Sequence, residues 1–143
     1  MVRGLESIDR VGVVGAGTMG SGIAQVAATS GYDVTMRDIE RKFVERGFET
    51  IDDSLGRLVE KDALTEADAE AARDRIDGTT DLADLGDCDL VVEAAVEEME
   101  IKQDIFADLD EATDDDVVLA TNTSTLSITT IASATERPEN VVG

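Results

Sequence analysis

A glycine-rich segment near the amino terminus is the part of this sequence best suited to chemistry. Gly15, Gly17 and Gly20 have the spacing Gly-x-Gly-x-x-Gly and directly follow a short apolar run at 11–14. In a strand–turn–helix unit the first glycine makes the tight turn, the second lets backbone approach a pyrophosphate, and the third lets helix and strand pack closely. The helix that follows offers free N–H groups to the phosphates. The segment predicts a dinucleotide-binding turn, with a purely structural glycine turn as the alternative.

An acidic residue at the end of the next apolar run indicates which dinucleotide would bind. A carboxylate at the position of Asp38 would accept hydrogen bonds from the adenosine ribose hydroxyls and would repel a 2′-phosphate. The sequence therefore favours NAD over NADP. Arg37 and Arg41 flank this aspartate and could partly accommodate a phosphate, so NADP stays the alternative.

Several other catalytic arrangements are excluded by composition. The chain has no histidine, which removes the commonest general base and the commonest metal ligand. The lone tyrosine, Tyr32, is followed four places later by Met36 where a short-chain reductase would need lysine, and no lysine follows the glycines as in a P-loop. The single cysteine, Cys88, lies between two aspartates that would raise its pKa, so a nucleophilic role is not expected.

A group of glutamates could suggest a site for a hard metal ion. Glu93, Glu97, Glu98 and Glu100 span the end of a predicted strand and the start of a predicted helix. Carboxylates at the start of a helix are also stabilised by the positive end of the helix dipole. We therefore expect solvent-exposed carboxylates and no metal site.

The elements that must position these residues alternate along the chain. Strands are predicted at 11–14, 32–37, 79–80, 90–94, 117–120 and 141–142, with helices between them ending near 30, 61, 76, 112 and 134 and a helical turn at 82–85. The apolar runs are too continuous for one-sided sheets. We expect an α/β fold of the Rossmann type, doubly wound, with a mainly parallel sheet, helices on both faces, and a helical hairpin inserted after the second strand.

Length and charge limit the organisation and the partners. The 143 residues, 42% of them hydrophobic, fit one domain over 1–143. The net charge is −21, and the sequence has no clusters of lysine and arginine. Binding to nucleic acid or to an anionic membrane surface is therefore not expected. Without a long apolar run or a signal segment, the chain is expected to be soluble and cytoplasmic. Acidity on this scale is typical of halophilic proteins living in concentrated salt, with an ordinary acidic domain as the alternative.

Three segments and one lysine resemble the N-terminal NAD-binding domain of the 3-hydroxyacyl-CoA dehydrogenases. They are 13–25, 91–97, Lys102 and 120–128, and the resemblance extends over about 8–143. It implies an NAD-dependent oxidoreductase that converts (3S)-3-hydroxyacyl-CoA to 3-oxoacyl-CoA in fatty acid β-oxidation, with an acyl-CoA thioester as the small-molecule substrate.

The resemblance also implies roles for individual residues. Those implied to hold the adenosine diphosphate half of NAD are Gly15, Ala16, Gly17, Thr18, Met19, Gly20 and Asp38. Those implied at the nicotinamide end are Ala95, Glu97 and Lys102 beside the ribose and Asn122 near the nicotinamide. Ser124 matches the family's active-site serine, which hydrogen-bonds the substrate's 3-oxygen, and Ser54 and Lys61 fall on coenzyme A contacts. A serine and a lysine on a polar helix could equally be solvated.

The family's catalytic histidine and its orienting glutamate have no counterpart in this sequence. In the family the histidine follows a Val-Val-Gly block, and here that block ends the sequence at Gly143. We expect the C-terminal helical domain to be absent from this chain, the chain alone to be catalytically incomplete, and a homodimer to form only with that domain. The alternatives are a non-catalytic NAD-binding or redox-sensing module, and a domain of another 3-hydroxyacid dehydrogenase.

Overall fold

The computed structural model describes residues 8–95, 97–122 and 126–143. Within these residues the strands are β1 (Arg10–Val14), β2 (Asp33–Arg37), β3 (Ile76–Thr79), β4 (Leu90–Glu93), β5 (Val118–Thr121) and β6 (Val141–Val142). The α-helices are α1 (Thr18–Thr29), α2 (Arg41–Glu60), α3 (Glu66–Asp74), α4 (Met99–Ala112) and α5 (Ile128–Ala132), with 3₁₀ turns at Leu82–Leu85 and Pro138–Asn140.

The strands form one parallel sheet in the order β3-β2-β1-β4-β5-β6. The chain builds outward from β1 to β3 and then crosses to β4, which pairs with the other side of β1. Ligands of doubly wound folds bind outside the carboxyl ends of the strands at such a switch point. The predicted Rossmann-type fold is confirmed, and the switch lies between β1 and β4.

Two hydrophobic clusters cover the two faces of the sheet. Val13 and Val14 are consecutive residues of β1, whose side chains point to opposite faces, and each belongs to a different cluster. One cluster joins β1, β2 and β3 to α1, α2 and α3 through Val34, Met36, Ala24, Ala28, Ile51 and Ala72. The other joins β4 and β5 to α4 and α5 through Val91, Leu119, Phe106, Leu109 and Ile131. No helix in the described residues is long and apolar enough to cross a membrane.

The helical hairpin predicted after β2 is present as α2 and α3. Thr65 caps α3 by accepting a hydrogen bond from the backbone N–H of Asp68 at 3.0 Å. Arg73 of α3 donates to Asp52 of α2 at 2.8 Å, and its guanidinium lies 3.9 Å from the centre of the Phe48 ring. An ion pair and a cation–π contact therefore tie the two helices together.

The boundary between α3 and β3 differs from the prediction. The helix ends at Asp74 and the strand covers Ile76–Thr79, whereas the sequence predicts a helix that ends near 76 and a strand that covers only 79–80. Asp-Gly is a turn signal in sequence, but here Ile76 is buried and pairs with Val34. Gly78 serves a packing role, because a Cβ there would lie 2.5 Å from a methyl carbon of Val44. The other predicted elements are confirmed to within a few residues.

Candidate functional site

The turn after β1 requires glycine at its first and last motif positions. Gly15 has a φ of 110°, and a Cβ on it would lie 2.7 Å from the carbonyl oxygen of Ala94. A Cβ on Gly20 would overlap the carbonyl oxygen of Gly15. The N–H of Gly15 donates to the carbonyl of Arg37 at 2.7 Å, which ties the turn to the end of β2. These contacts match the turn-forming and close-packing roles predicted for these two glycines.

Gly17 lies in open space at the amino terminus of α1. Its φ is −72°, and a Cβ on it would meet no protein atom within 4 Å, so the protein's own packing does not demand glycine. It is the N-cap of α1, which has no side-chain cap and no acidic residue in its first turn. The helix α2 shares both features and α4 also lacks a side-chain cap, whereas α3 and α5 are capped by Thr65 and Ser127. The first-turn N–H groups and the positive end of the dipole suit an anionic group at this position.

Asp38 joins the glycine turn to β2. Its Oδ2 accepts from the backbone N–H of Ala16 at 2.8 Å, and its Oδ1 accepts from the N–H of Ile39 at 2.7 Å. Each carboxylate oxygen carries a second lone pair that a ribose hydroxyl could use. Arg37 donates to the carbonyl of Thr80 at 3.1 Å, and Arg41 lies 3.4 Å from the carbonyl of Gly78. Arg41 is thus directed toward the β3 edge of the sheet, whereas Arg37 also lines the cleft beside Asp38. The preference for NAD over NADP therefore depends on the Asp38 carboxylate.

A cleft of about 570 Å³ opens beside the glycine turn and Asp38. Its floor is formed by the ends of β1 and β4, including Val14, Ala94 and Ala95. Its walls are largely aliphatic and include Ile39, Leu82, Ile101 and Ile105, with the carboxylates of Asp104 and Asp108 on the α4 side. The apolar surfaces suit the base of a nucleotide, and the helix terminus suits its phosphates.

A buried ion pair lies where β4 ends. Glu93 and Lys102 both have fully buried side chains, and the Lys102 Nζ lies 2.8 and 2.7 Å from the two Glu93 carboxylate oxygens. Glu93 also accepts from the hydroxyl of Thr121 at 2.7 Å and from the backbone N–H of Ala95 at 2.6 Å. This network joins β4, β5 and α4 at the carboxyl edge of the sheet.

The exposure predicted for the glutamate group is wrong for Glu93. The other three members, Glu97, Glu98 and Glu100, are exposed, and no group of histidine, cysteine, aspartate and glutamate side chains suited to a metal ion occurs in the described residues. Glu93 is buried because it lies two residues after the buried Val91, on the same face of β4. That alternation was the sequence signal that could have identified it.

The residues implied at the nicotinamide end surround this network. Oε1 of the partly exposed Glu97 lies 3.4 Å from the Lys102 Nζ. The exposed Asn122 donates its backbone N–H to the Glu93 carbonyl at 2.8 Å. Ala95 lines the cleft as well as donating to Glu93. The structure brings the four predicted residues together around Glu93, which the sequence predicts only as an exposed member of the glutamate group.

Three predicted substrate residues do not meet at this cleft. Ser124 lies outside the described residues. Ser54 is half-buried on α2 and Lys61 is exposed just after it, and neither lines the cleft. They are two helical turns apart and so lie on one side of α2. Their coenzyme A roles stay predictions.

The surroundings of Cys88 disfavour a nucleophilic role, in line with the sequence-based expectation. Burial raises the pKa of its thiol to about 12, and the charge of Asp87 adds to this effect. The thiolate is the nucleophilic form of cysteine, and it is scarce at neutral pH under these conditions.

A family model and two curated relatives agree on the kind of protein that this chain resembles. The family model described as "3-hydroxyacyl-CoA dehydrogenase, NAD binding domain" matches residues 10–143. A probable 3-hydroxybutyryl-CoA dehydrogenase of Deinococcus radiodurans is 50% identical over 134 residues, covering 94% of this chain and 48% of the relative. A fatty acid oxidation complex subunit alpha of Pseudomonas entomophila is 40% identical, over 96% of this chain and 19% of its own length.

A solved structure shares the fold closely. The crystal structure of (S)-3-hydroxybutyryl-CoA dehydrogenase from Ralstonia eutropha superposes with a TM-score of 0.92 at 45% identity, covering 94% of this chain and 48% of that one. The present chain therefore spans about half the length of the dehydrogenases that it matches.

Proposed function

Because the chain belongs to the 3-hydroxyacyl-CoA dehydrogenase NAD-binding domain family, we propose that it supplies the cofactor site of an oxidoreductase that converts (3S)-3-hydroxyacyl-CoA to 3-oxoacyl-CoA. The observation that carries the proposal is the open, uncapped helix terminus at Gly17 beside Asp38. The names of the relatives support an acyl-CoA substrate and a place in fatty acid oxidation.

The glycine turn and Asp38 fit the adenosine diphosphate half of NAD. The α1 terminus would bind the pyrophosphate, and Asp38 would accept from the adenosine ribose while its bond to Ala16 keeps the turn in place. At the nicotinamide end, Ala95 lines the cleft, and Glu97, Lys102 and Asn122 would lie beside the nicotinamide and its ribose. When bound, NAD takes up the hydride that leaves C3 of the substrate.

The substrate side of the proposal depends on residues outside the cleft. Ser124 would orient the 3-oxygen of the substrate, and Ser54 and Lys61 on the α2 side would contact coenzyme A. The base that removes the hydroxyl proton would come from a further domain, since these 143 residues contain no histidine. That domain would also form the homodimer.

The absence of histidine also favours a second candidate, a non-catalytic module that binds NAD and responds to redox state. Such a module would have no use for acyl-CoA. Binding of a coenzyme A thioester, weakened by Lys61→Glu, would support the dehydrogenase role over both the module and another 3-hydroxyacid dehydrogenase. The exposed Lys42→Glu variant near the start of α2 makes the same charge change and serves as control.

An assay with NAD and (3S)-3-hydroxybutyryl-CoA tests catalytic competence. A positioned general base typically raises the rate by about 10²- to 10⁴-fold. Without the further domain, the substrate is also poorly oriented toward NAD, which lowers the rate again. We expect the 143-residue chain to bind NAD but to form NADH at near-background rates. Failure to bind NAD would contradict the cofactor role. NADH formation at rates comparable to those of a complete dehydrogenase would show that the base lies within this chain.

A further inference from the structure

In the described residues, the side of the sheet that carries α1 is packed over β1, β2 and β3 only. The hydrophobic cluster on that side joins these three strands to α1, α2 and α3, whereas the cluster on the opposite side extends to β5 and β6. Side chains alternate along β4, β5 and β6, and those that point to the α1 side belong to neither cluster. These residues, which we call the open face, are Leu90, Val92, Val118, Ala120 and Val142.

The strand register joins the open face into one continuous apolar strip. Val92 pairs with Ala120, and Ala120 pairs with Val142, so these three side chains lie side by side across the sheet. Leu90 pairs with Val118 in the next row. The outer two of three adjacent strands lie about 10 Å apart, and a helix with its side chains is about 10–12 Å in diameter. One helix would therefore cover the strip.

Helix α1 borders the open face and carries no charge. None of its 12 residues is aspartate, glutamate, lysine or arginine, although 31% of the whole chain is charged. Met19 and Val26 of α1 are 58% and 65% exposed. Together with Ile23, Leu90 and Val92 they line a groove of about 600 Å³ between α1 and β4. Charged residues are depleted at the centres of interfaces, so this composition suits a surface that is covered in the assembled protein.

Resting on the function proposed above, we propose that the open face and the groove along α1 form the docking surface for the further domain. That domain would lay the apolar side of a helix across β4, β5 and β6. All-parallel sheets are almost always covered on both faces. The chain spans about half the length of the dehydrogenases that it matches, so the remaining half is long enough to form such a domain.

Two other ways of covering the open face are less suitable. The connections that lead from β4 to β6 place α4 and α5 on the opposite side of the sheet. Parallel crossovers are right-handed, so another helix and strand added beyond β6 would follow them onto that opposite side. A second copy of the chain would bring two net charges of −21 together, which is repulsive. The further domain has neither disadvantage.

A chimera tests the docking surface. The chain would replace the matching part of the Deinococcus radiodurans relative, which is 50% identical over 134 residues that make up 48% of its length. The second half of the relative then supplies the further domain. Val26→Asp adds a charge in the groove. Thr29→Asp is the matched control, because it adds the same charge to an exposed residue in the same last turn of α1 but outside the groove.

The two variants should differ only when the further domain is present. In the chain alone, both positions are exposed, and we expect the melting temperatures of the two variants to agree within about 2 °C. In the chimera, Val26→Asp should lower the melting temperature by at least about 5 °C more than Thr29→Asp, because burying an unpaired charge is costly. Equal effects of the two variants in a folded chimera would overturn the proposal.

Co-expression of the two halves as separate chains covers the case in which the chimera does not fold. The tagged second half of the relative should capture the wild-type chain and Thr29→Asp, and about tenfold less of Val26→Asp. Equal capture of the three chains, or capture of none of them, would overturn the proposal.

Sedimentation of the chain alone distinguishes a second copy from the further domain as the occupant of the open face. We expect a monomer. A dimer that Val26→Asp dissociates and Thr29→Asp does not would show that a second copy covers this face, and would overturn the proposal. Failure of both the wild-type chain and the folded chimera to bind NAD would contradict the proposed function instead, since the melting temperatures report on docking independently of the cofactor.

Discussion

Single residues at the cleft are constrained in two different ways. Gly15 and Gly20 are glycines because the protein's own backbone occupies the space of a side chain. Gly17 and Asp38 are not constrained in this way: Gly17 faces open space, and Asp38 could be replaced by another short polar side chain that accepts from Ala16. Their combination is explained by a ligand that brings phosphates to one and ribose hydroxyls to the other.

The choice between NAD and NADP can be tested by substituting Asp38. A carboxylate there attracts ribose hydroxyls and repels a 2′-phosphate, so the wild-type chain should bind NAD more tightly than NADP. Asp38→Ala should weaken NAD by about 1–3 kcal/mol, the range for a lost charged hydrogen bond, and should narrow the difference between the cofactors. Calorimetric titration of both cofactors measures this.

The exposed Asp53→Ala on α2 is the control for that change and should leave both affinities unaltered. Equal affinities of the wild-type chain for NAD and NADP would contradict the assignment of Asp38.

Among the elements, the hairpin of α2 and α3 is the addition to a plain doubly wound fold. It packs over the glycine turn, since a Cβ on Gly47 of α2 would lie 2.8 Å from the carbonyl oxygen of Ala16. The hairpin therefore supports the glycine turn through α2, and Ser54 and Lys61, the residues proposed to contact coenzyme A, lie on α2 and directly after it.

The cap of α3 gives a test of the hairpin. Thr65→Ala removes the acceptor for the Asp68 N–H and should lower the free energy of unfolding by about 1 kcal/mol in a urea titration. Thr65→Ser keeps the acceptor and should stay close to wild type. A Thr65→Ala chain as stable as Thr65→Ser would mean that the cap is unimportant in solution.

Features that depend on residues close together in sequence could be predicted, and features that depend on distant residues could not. The glycine turn and the capped hairpin could be predicted because turn chemistry and caps depend on neighbours in sequence. The start of β3 could not, because Ile76 becomes a strand residue through pairing with Val34 on another element. The alternation along β4 could have indicated that Glu93 is buried. Its partners, Lys102 and Thr121, could not be predicted, because only the fold brings them together.

The whole molecule carries a net charge of −21. Such a density of like charge destabilises the compact state unless ions screen it, and the Debye length falls from about 10 Å at 0.1 M salt to about 3 Å at 1 M. We propose that the protein is adapted to concentrated salt. Its melting temperature should rise between dilute buffer and 1 M KCl, and a flat or falling value would contradict this.

The proposed function depends on NAD binding at the open helix terminus of α1. Gly17→Val would place a side chain where the pyrophosphate is proposed to lie, and a Cβ at this position meets no protein atom within 4 Å. Gly56→Val on α2 is the matched control, because a Cβ there also meets nothing within 4 Å and lies outside the cleft. Calorimetric titration with NAD should show binding to the wild-type chain and to Gly56→Val and none to Gly17→Val. Equal NAD affinity of all three chains would contradict binding of the NAD pyrophosphate at the terminus of α1.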